Sequence, residues 1–262
     1  MSSCILCQTP RARQPYFIQN IQMNIYSIEE LCYYLYHNLY LVDRTLFNEE
    51  LCFWISTELK LPLLGQKIRP FLGKFSSLED LVYPIFKEIN YLSYEELKKL
   101  NAQLREMDEL SLTMRRKKKG DAFMENGMYI KAIDMYTGLI NEGLKEEDPS
   151  LAACISHNLG CAYANLFQME KAADYFRKAF ELSHEDEELE YSLLALSSYS
   201  SKDKAVEEEA SVGNVQINPQ IKDKVRQILE QFESTPAPDV EEGRMDAFLE
   251  GFMKEYHRST SK

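Results

Sequence analysis

A spacing of small and aromatic residues occurs twice in this 262-residue chain and constrains its fold more than any other feature. In each copy a glycine is followed by an aromatic residue, an alanine and a second aromatic residue, at offsets of 3, 12 and 16 positions. The copies are Gly120, Phe123, Ala132 and Tyr136, and then Gly160, Tyr163, Ala172 and Phe176, with Ala179 after them. Small residues let two helices approach closely, and aromatic rings fill the space beside them. The spacing therefore predicts two tandem helical hairpins.

These residues resemble the tetratricopeptide repeat (TPR) family, with repeats at about 113–146 and 153–186. The family repeats every ~34 residues, and the charged segment 141–150 accommodates the longer period of this chain. Two positions depart from the family pattern, because Leu139 replaces its last alanine and Phe167 replaces the usual turn glycine. The resemblance implies a short α-solenoid that binds a peptide or helix of another protein.

Capping signals and helical patterns in the rest of the chain predict an all-α fold. Ser27 and Ser93 each precede a glutamate by three residues, which is the capping-box pattern of a helix start. Asn48 is a further N-cap candidate. Proline is absent from residues 94–125, and we expect one long helix there. Residues 15–26 are the candidate for a short strand or hairpin.

Three regions follow from this pattern. We expect an aromatic-rich helical N-terminal domain at 1–92, TPR-like repeats at 93–200, and an acidic loop with C-terminal helices at 201–262. The long helix would join the N-terminal domain to the repeats. Two repeats alone bury little surface, so the C-terminal helices should cap them. The last helix, at 241–258, has an apolar face that either folds back as a cap or docks onto a partner or a second copy of the chain.

The charge of the chain bears on its partners. Acidic residues outnumber basic ones by 42 to 30, giving a net charge of −12, which disfavours nucleic acid as the main ligand. No apolar run approaches the ~20 residues of a membrane span. We expect a cytoplasmic protein without a membrane partner, whose six cysteines are reduced thiols.

The TPR resemblance places a partner-binding groove on the first helix of each hairpin. Its predicted residues are Met114, Lys117, Asp121 and Met124, followed by His157, Asn158, Cys161 and Asn165. Asp121 stands where chaperone-binding TPRs have asparagine, so a clamp for a C-terminal carboxylate is disfavoured. The basic run 115–119 is either a solvated helix face or a docking patch for an acidic peptide.

The remaining motifs leave few chemical alternatives. Glycine-rich phosphate loops and the signatures of metalloproteases and serine hydrolases are absent, which predicts a protein that is not an enzyme. His157 is interpreted as an isolated histidine, and the acidic run 184–190 as solvated charges at a helix start. Cys4 and Cys7 form a CxxC motif. They are either two free thiols or half of a structural zinc site, and no other cofactor is expected.

Two alternatives to a protein-binding adaptor stay open. One is a peptide-sensing regulator whose N-terminal domain binds nucleic acid. The other is a protein stabilised by zinc through Cys4 and Cys7.

Overall fold

Helices dominate the computed structural model of this chain, and the predicted all-α class is confirmed. The residues it describes are 9–43, 45–72, 78–198, 218–234 and 245–260. Strands within these residues form a single two-stranded sheet. Of the helices described, none combines the length and hydropathy that a membrane crossing requires.

Contacts divide the chain into two compact units, Met1–Lys118 and Lys119–Lys262. The first unit begins with an antiparallel hairpin of β1 (Tyr16–Ile18) and β2 (Met23–Ile25), within the segment predicted for it. The helices that follow are α1 (Ile28–His37), α2 (Glu49–Thr57), α3 (Pro62–Ile68), α4 (Glu79–Glu88) and α5 (Tyr94–Glu109). Short 3-10 turns lie at Leu39–Leu41 and Arg69–Phe71. The domain boundaries after residues 92 and 200 stay predictions.

The predicted caps of the first unit form as the sequence indicates. The hydroxyl of Ser27 accepts a hydrogen bond from the Glu30 amide, and the Asn48 side chain caps α2. At α5, Ser93 and Glu96 complete a reciprocal capping box. Each cap satisfies an amide that lacks a partner inside its own helix, which stabilises the fold by about 1 kcal/mol.

The long helix predicted for residues 94–125 is wrong, because two helices occupy this segment. Helix α5 ends at Glu109, and α6 runs from Leu112 to Glu125. Leu110 between them is extended, with φ −67° and ψ 143°. The hydroxyl of Ser111 then accepts a hydrogen bond from the Met114 amide at 3.2 Å. This local cap competes with continuation of the helix.

The side chain of Arg115 stabilises the same break. Its guanidinium donates to the carbonyl of Asp108 at 2.7 Å and to that of Leu110 at 3.1 Å. These carbonyls at the end of α5 would otherwise lack donors. Arg115, in the first turn of α6, thus supplies hydrogen-bond donors to carbonyls at the C-terminal end of α5.

The second unit consists of helices that pack mainly against their neighbours in sequence. They are α7 (Tyr129–Leu139), the three-residue α8 (Lys145–Glu147), α9 (Pro149–Asn165), α10 (Met169–Ser183), α11 (Asp186–Ser197), α12 (Pro219–Ser234) and α13 (Met245–Thr260). The turn Ile140–Leu144 contains Gly143 at φ +92°. Helix α9 packs against both α7 and α10, and α10 packs against α11.

Helix α12 covers one side of α11. Ile221 and Val225 of α12 are buried with Leu189 and Leu193 of α11 in one apolar cluster. The side chain of Asn218 accepts a hydrogen bond from the Gln220 amide, which caps the start of α12. The acidic loop was predicted within the region 201–262, and residues 201–217 of that region lie outside the described residues.

Candidate functional site

Each repeated glycine lies directly against the aromatic ring sixteen residues later. A Cβ added to Gly120 would lie 2.5 Å from Cε1 of Tyr136, and one added to Gly160 would lie 2.6 Å from Cε1 of Phe176. Real Cβ atoms do not approach other carbons so closely, and both rings are buried. An alanine at either position would press against a buried ring, and the two hairpins share this close contact.

The turns inside the two hairpins also share one hydrogen-bond pattern. In the first turn the Met128 amide donates to the Phe123 carbonyl at 2.9 Å. In the second turn the Gln168 amide donates to the Tyr163 carbonyl at the same distance. Gly127 has φ +70°, and Phe167, at the equivalent position, has φ +57°. The second turn thus keeps the left-handed geometry without a glycine.

The other predicted packing residues are buried with one exception. The buried ones are Phe123, Ala132, Ala172 and Ala179. Tyr163 is partly buried, and its ring stacks on Tyr175 with 5.3 Å between centroids. These side chains occupy the interior of the hairpins, so they determine the position of the polar groups on the first helices.

A polar network connects the first hairpin to α9. The Tyr136 hydroxyl donates to Oδ1 of Asp121 at 2.7 Å. Nδ2 of Asn158 donates to the same carboxylate oxygen at 3.1 Å and to the Tyr136 hydroxyl at 3.2 Å. Burial, and then the neighbouring Asp121, raises the pKa of Tyr136 well above its usual range. Two predicted groove residues, Asp121 and Asn158, therefore bind to each other.

A second network centres on His157. Its Nδ1 lies 3.0 Å from Oε2 of Glu188 on α11, and its Nε2 lies 3.4 Å from Sγ of Cys161. The ring is edge-on to Phe176 and Tyr191, with centroid distances of 5.5 and 5.3 Å. The hydrogen bond with Cys161, followed by that with Glu188, raises the pKa of His157 to about 10, although burial opposes this shift. His157 therefore lies between the sulfur of Cys161 and the carboxylate of Glu188, and this geometry favours its protonated ring.

Two interpretations made from the sequence are wrong here. His157 is not isolated, and Glu188 is not a solvated charge, since the side chain of Glu188 is only 15% exposed and pairs with His157. Glu190, in the same acidic run, pairs with Lys224 of α12. The contact between His157 and Cys161 could have been predicted, because residues four positions apart lie one helical turn apart. The pairing with Glu188 is tertiary and had no local signal.

The remaining predicted groove residues have different surroundings. Met124 is partly exposed near the end of α6, and Asn165 is exposed at the end of α9, where its amide donates to the Cys161 carbonyl at 2.9 Å. Met114 and Lys117 lie on the part of α6 that belongs to the first unit. The structure thus brings together Asp121 with Asn158, and His157 with Cys161.

The final helix α13 contacts the hairpins and still has an exposed apolar face. Gly127 lies near the guanidinium of Arg258, and Ser259 is buried. Phe252 and Tyr256 line a surface cavity of about 450 Å³ together with Tyr129 and Phe167. The exposed apolar residues are Met245, Phe248, Leu249, Phe252, Met253 and Tyr256. Both alternatives for this helix, cap and docking element, stay open.

The predicted zinc ligands Cys4 and Cys7 lie outside the described residues. Among the residues that are described, no group of three or more histidine, cysteine or acidic side chains could hold a metal ion. Cys161 and Glu188 face opposite nitrogens of His157 and so do not converge on one point.

No protein-family model matches this chain, and neither the curated proteins nor the solved structures include a significant match to it.

Proposed function

We propose that the hairpins α6–α7 and α9–α10, with α11 and α12, form a TPR-like module that binds a peptide or helix of another protein. The observation that carries this proposal is the repeated close contact of a glycine with an aromatic ring, joined to the repeated turn. Modules of this kind stack helical hairpins and bind partners along an extended surface. The protein would act as an adaptor and not as an enzyme.

The two polar networks limit which groove residues are available to a partner. Asn158 and His157 bind groups within the module, and we expect them to hold its shape. Met124 and Asn165 lie on the first helices at the ends that precede the turns, and both have exposed surface. We therefore expect Met124 to supply apolar contact area and Asn165 to supply hydrogen bonds to the partner's backbone.

The test begins with purification of partners on the immobilised full chain, followed by titration calorimetry with one purified partner. We expect the double variant Met124→Lys, Asn165→Lys to bind at least about tenfold more weakly, because two desolvated charges would face the partner. The matched control is Glu181→Lys on α10, the second helix of the hairpin, where the side chain is exposed. Its affinity should equal that of the wild type.

Melting temperatures decide whether a loss of binding is specific. Both variants alter exposed or partly exposed side chains, so both should melt within a few degrees of the wild type, an effect of about 0.5 kcal/mol or less. Equal affinities of the wild type, the double variant and the control would contradict the assignment of the groove. Asn158→Ala is a poorer test, because it also removes a partner of Asp121 and Tyr136.

A further inference from the structure

Cys161, His157 and Glu188 form a chain of side-chain contacts, and the proposed partner contacts at Met124 and Asn165 do not include Cys161. The sulfur of Cys161 is 3.4 Å from one ring nitrogen of His157, and the carboxylate of Glu188 is 3.0 Å from the other. Cys161 is partly exposed and packs beside the apolar cluster that contains Phe176. A nucleophile, a base and a group that orients the base occur in this order in enzymes with activated nucleophiles.

The charges around this arrangement favour an ion pair between sulfur and ring. On α9 the neighbour of Cys161 is His157, and α10 contributes the uncharged ring of Phe176. Helix α11 contributes Glu188, bound to the far nitrogen of His157, and Tyr191, whose hydroxyl donates to Glu187 at 3.1 Å. The carboxylate of Glu188 stabilises a protonated ring, and a protonated ring favours a thiolate over a thiol.

We propose that Cys161 is a modification site, a thiolate paired with the imidazolium of His157 that reacts with hydroperoxides. The proposal does not rest on partner binding, because the product is formed on the sulfur itself. His157 acts as the proton donor of the reaction, and Glu188 is a positioning residue that holds the ring with Nε2 directed at the sulfur.

The reaction with hydrogen peroxide balances with the groups present. The thiolate attacks one peroxide oxygen, so that an S–O bond forms and the O–O bond breaks. Sulfur is oxidised by two electrons to a sulfenic acid, and the other oxygen leaves as hydroxide. The imidazolium of His157 gives its proton to this hydroxide, which leaves as water. The ring becomes neutral and loses its ion pair with the sulfur.

Other cysteines of the described residues supply internal controls. Cys154 is exposed on the same helix, seven residues before Cys161. Cys32 and Cys52 are buried, and burial raises the pKa of both thiols, which makes them poor nucleophiles. If exposure alone determined reactivity, Cys154 would react faster than Cys161. The proposal predicts the opposite order.

The first measurement is the rate at which iodoacetamide alkylates each cysteine of the folded full chain between pH 6 and 8. Peptide mass spectrometry quantifies the modified cysteines. We expect Cys161 to react about tenfold faster than Cys154 at pH 6.5, with a weaker dependence on pH. A slower reaction of Cys161, or equal pH slopes for the two residues, would overturn the proposal. This comparison uses the wild type and needs no variant to fold.

The second measurement uses His157→Gln and Glu188→Gln, with Cys154→Ser as the matched control. His157→Gln should remove the advantage of Cys161, Glu188→Gln should reduce it, and Cys154→Ser should leave it unchanged. After exposure to hydrogen peroxide, the sulfenic acid is trapped with dimedone, and the adduct should be found on Cys161 and not on Cys154. An adduct on Cys154 alone, or equal labelling in wild type and His157→Gln, would overturn the assignment.

Discussion

The two repeated hairpins share the same packing contacts and differ in their polar chemistry. In both, a glycine of the first helix contacts a buried ring of the second. That ring is Tyr136 in the first hairpin, where its hydroxyl binds Asp121, and Phe176 in the second, which has no hydroxyl. The packing positions thus determine the geometry, whereas the polar positions are free to acquire separate roles.

The equivalent polar positions show how far the hairpins have diverged. Asp121 and Cys161 each follow the repeated glycine by one residue. Asp121 accepts hydrogen bonds from within the module, whereas Cys161 contacts a histidine held by the next helix. One position serves stability and the other serves reactivity in our proposals.

Truncation of the two rings should have the largest effect. Phe176→Ala removes a buried ring and should lower the free energy of unfolding by about 3–5 kcal/mol. Tyr136→Ala should cost about 1 kcal/mol more, because Asp121 and Asn158 also lose a hydrogen-bond partner. Urea denaturation of both variants measures the difference. Equal losses would mean that the Tyr136 network contributes nothing to stability.

Substitution of the glycines should have a smaller effect, of the same sign in both hairpins. Gly120→Ala and Gly160→Ala each place a methyl group against a buried ring. Overpacking of this kind exceeds the gain in helix propensity, so we expect a net loss of about 1–2 kcal/mol. Gly251→Ala in α13 is the control, since its methyl group would meet no atom within 4 Å.

Chemical denaturation should separate the control from the other two variants, because only the control should show no loss of stability. Gly251→Ala gains helix propensity without a clash and should be equally stable or more stable. If all three variants change the free energy of unfolding in the same direction, close contact with a ring does not explain the glycines at positions 120 and 160.

These packing contacts could be predicted from the sequence. A glycine and an aromatic residue at a fixed spacing are both explained by the close packing of two helices. The break after Glu109 could not be predicted with the same ease, since Ser111 caps a helix within a segment of otherwise strong helix formers. The contact between His157 and Glu188 joins residues 31 positions apart. Pairs of this kind depend on how helices stack, which local patterns do not encode.

The turn of the second hairpin supplies a prediction of opposite sign. Phe167 is 84% exposed and has φ +57°, a conformation that costs a residue with a Cβ about 1–2 kcal/mol. Phe167→Gly should therefore stabilise the chain by about 1 kcal/mol after the entropy of glycine is subtracted. Phe167→Ala keeps the Cβ and should give no gain. A thermal melt of both variants separates backbone strain from loss of the side chain.

The smallest expected effect is a pH dependence of the free energy of unfolding that comes from His157 in the second hairpin. The folded pKa of His157, about 10, lies above the ordinary value of 6.5, so the folded chain retains a proton that the unfolded chain loses above pH 6.5. The contribution of His157 to stability is full below pH 6.5 and declines as the pH rises toward 10.

Denaturation of the wild type and Glu188→Gln at pH 6 and pH 9 measures this effect. The pair is partly exposed, so we expect the variant to lose about 0.5 kcal/mol at pH 6 and less at pH 9. A larger loss at pH 9 than at pH 6 would contradict the protonated state assigned to His157.

A set of double-mutant cycles tests most directly whether the two hairpins are built on the same contact. The cycles combine Gly120→Ala with Tyr136→Leu, and Gly160→Ala with Phe176→Leu, because the smaller side chain leaves room for the added methyl group. Both cycles should show coupling of about 1 kcal/mol or more, and the crossed pair Gly120→Ala with Phe176→Leu should be additive. Additivity within either hairpin would contradict the account of a repeated glycine–aromatic skeleton.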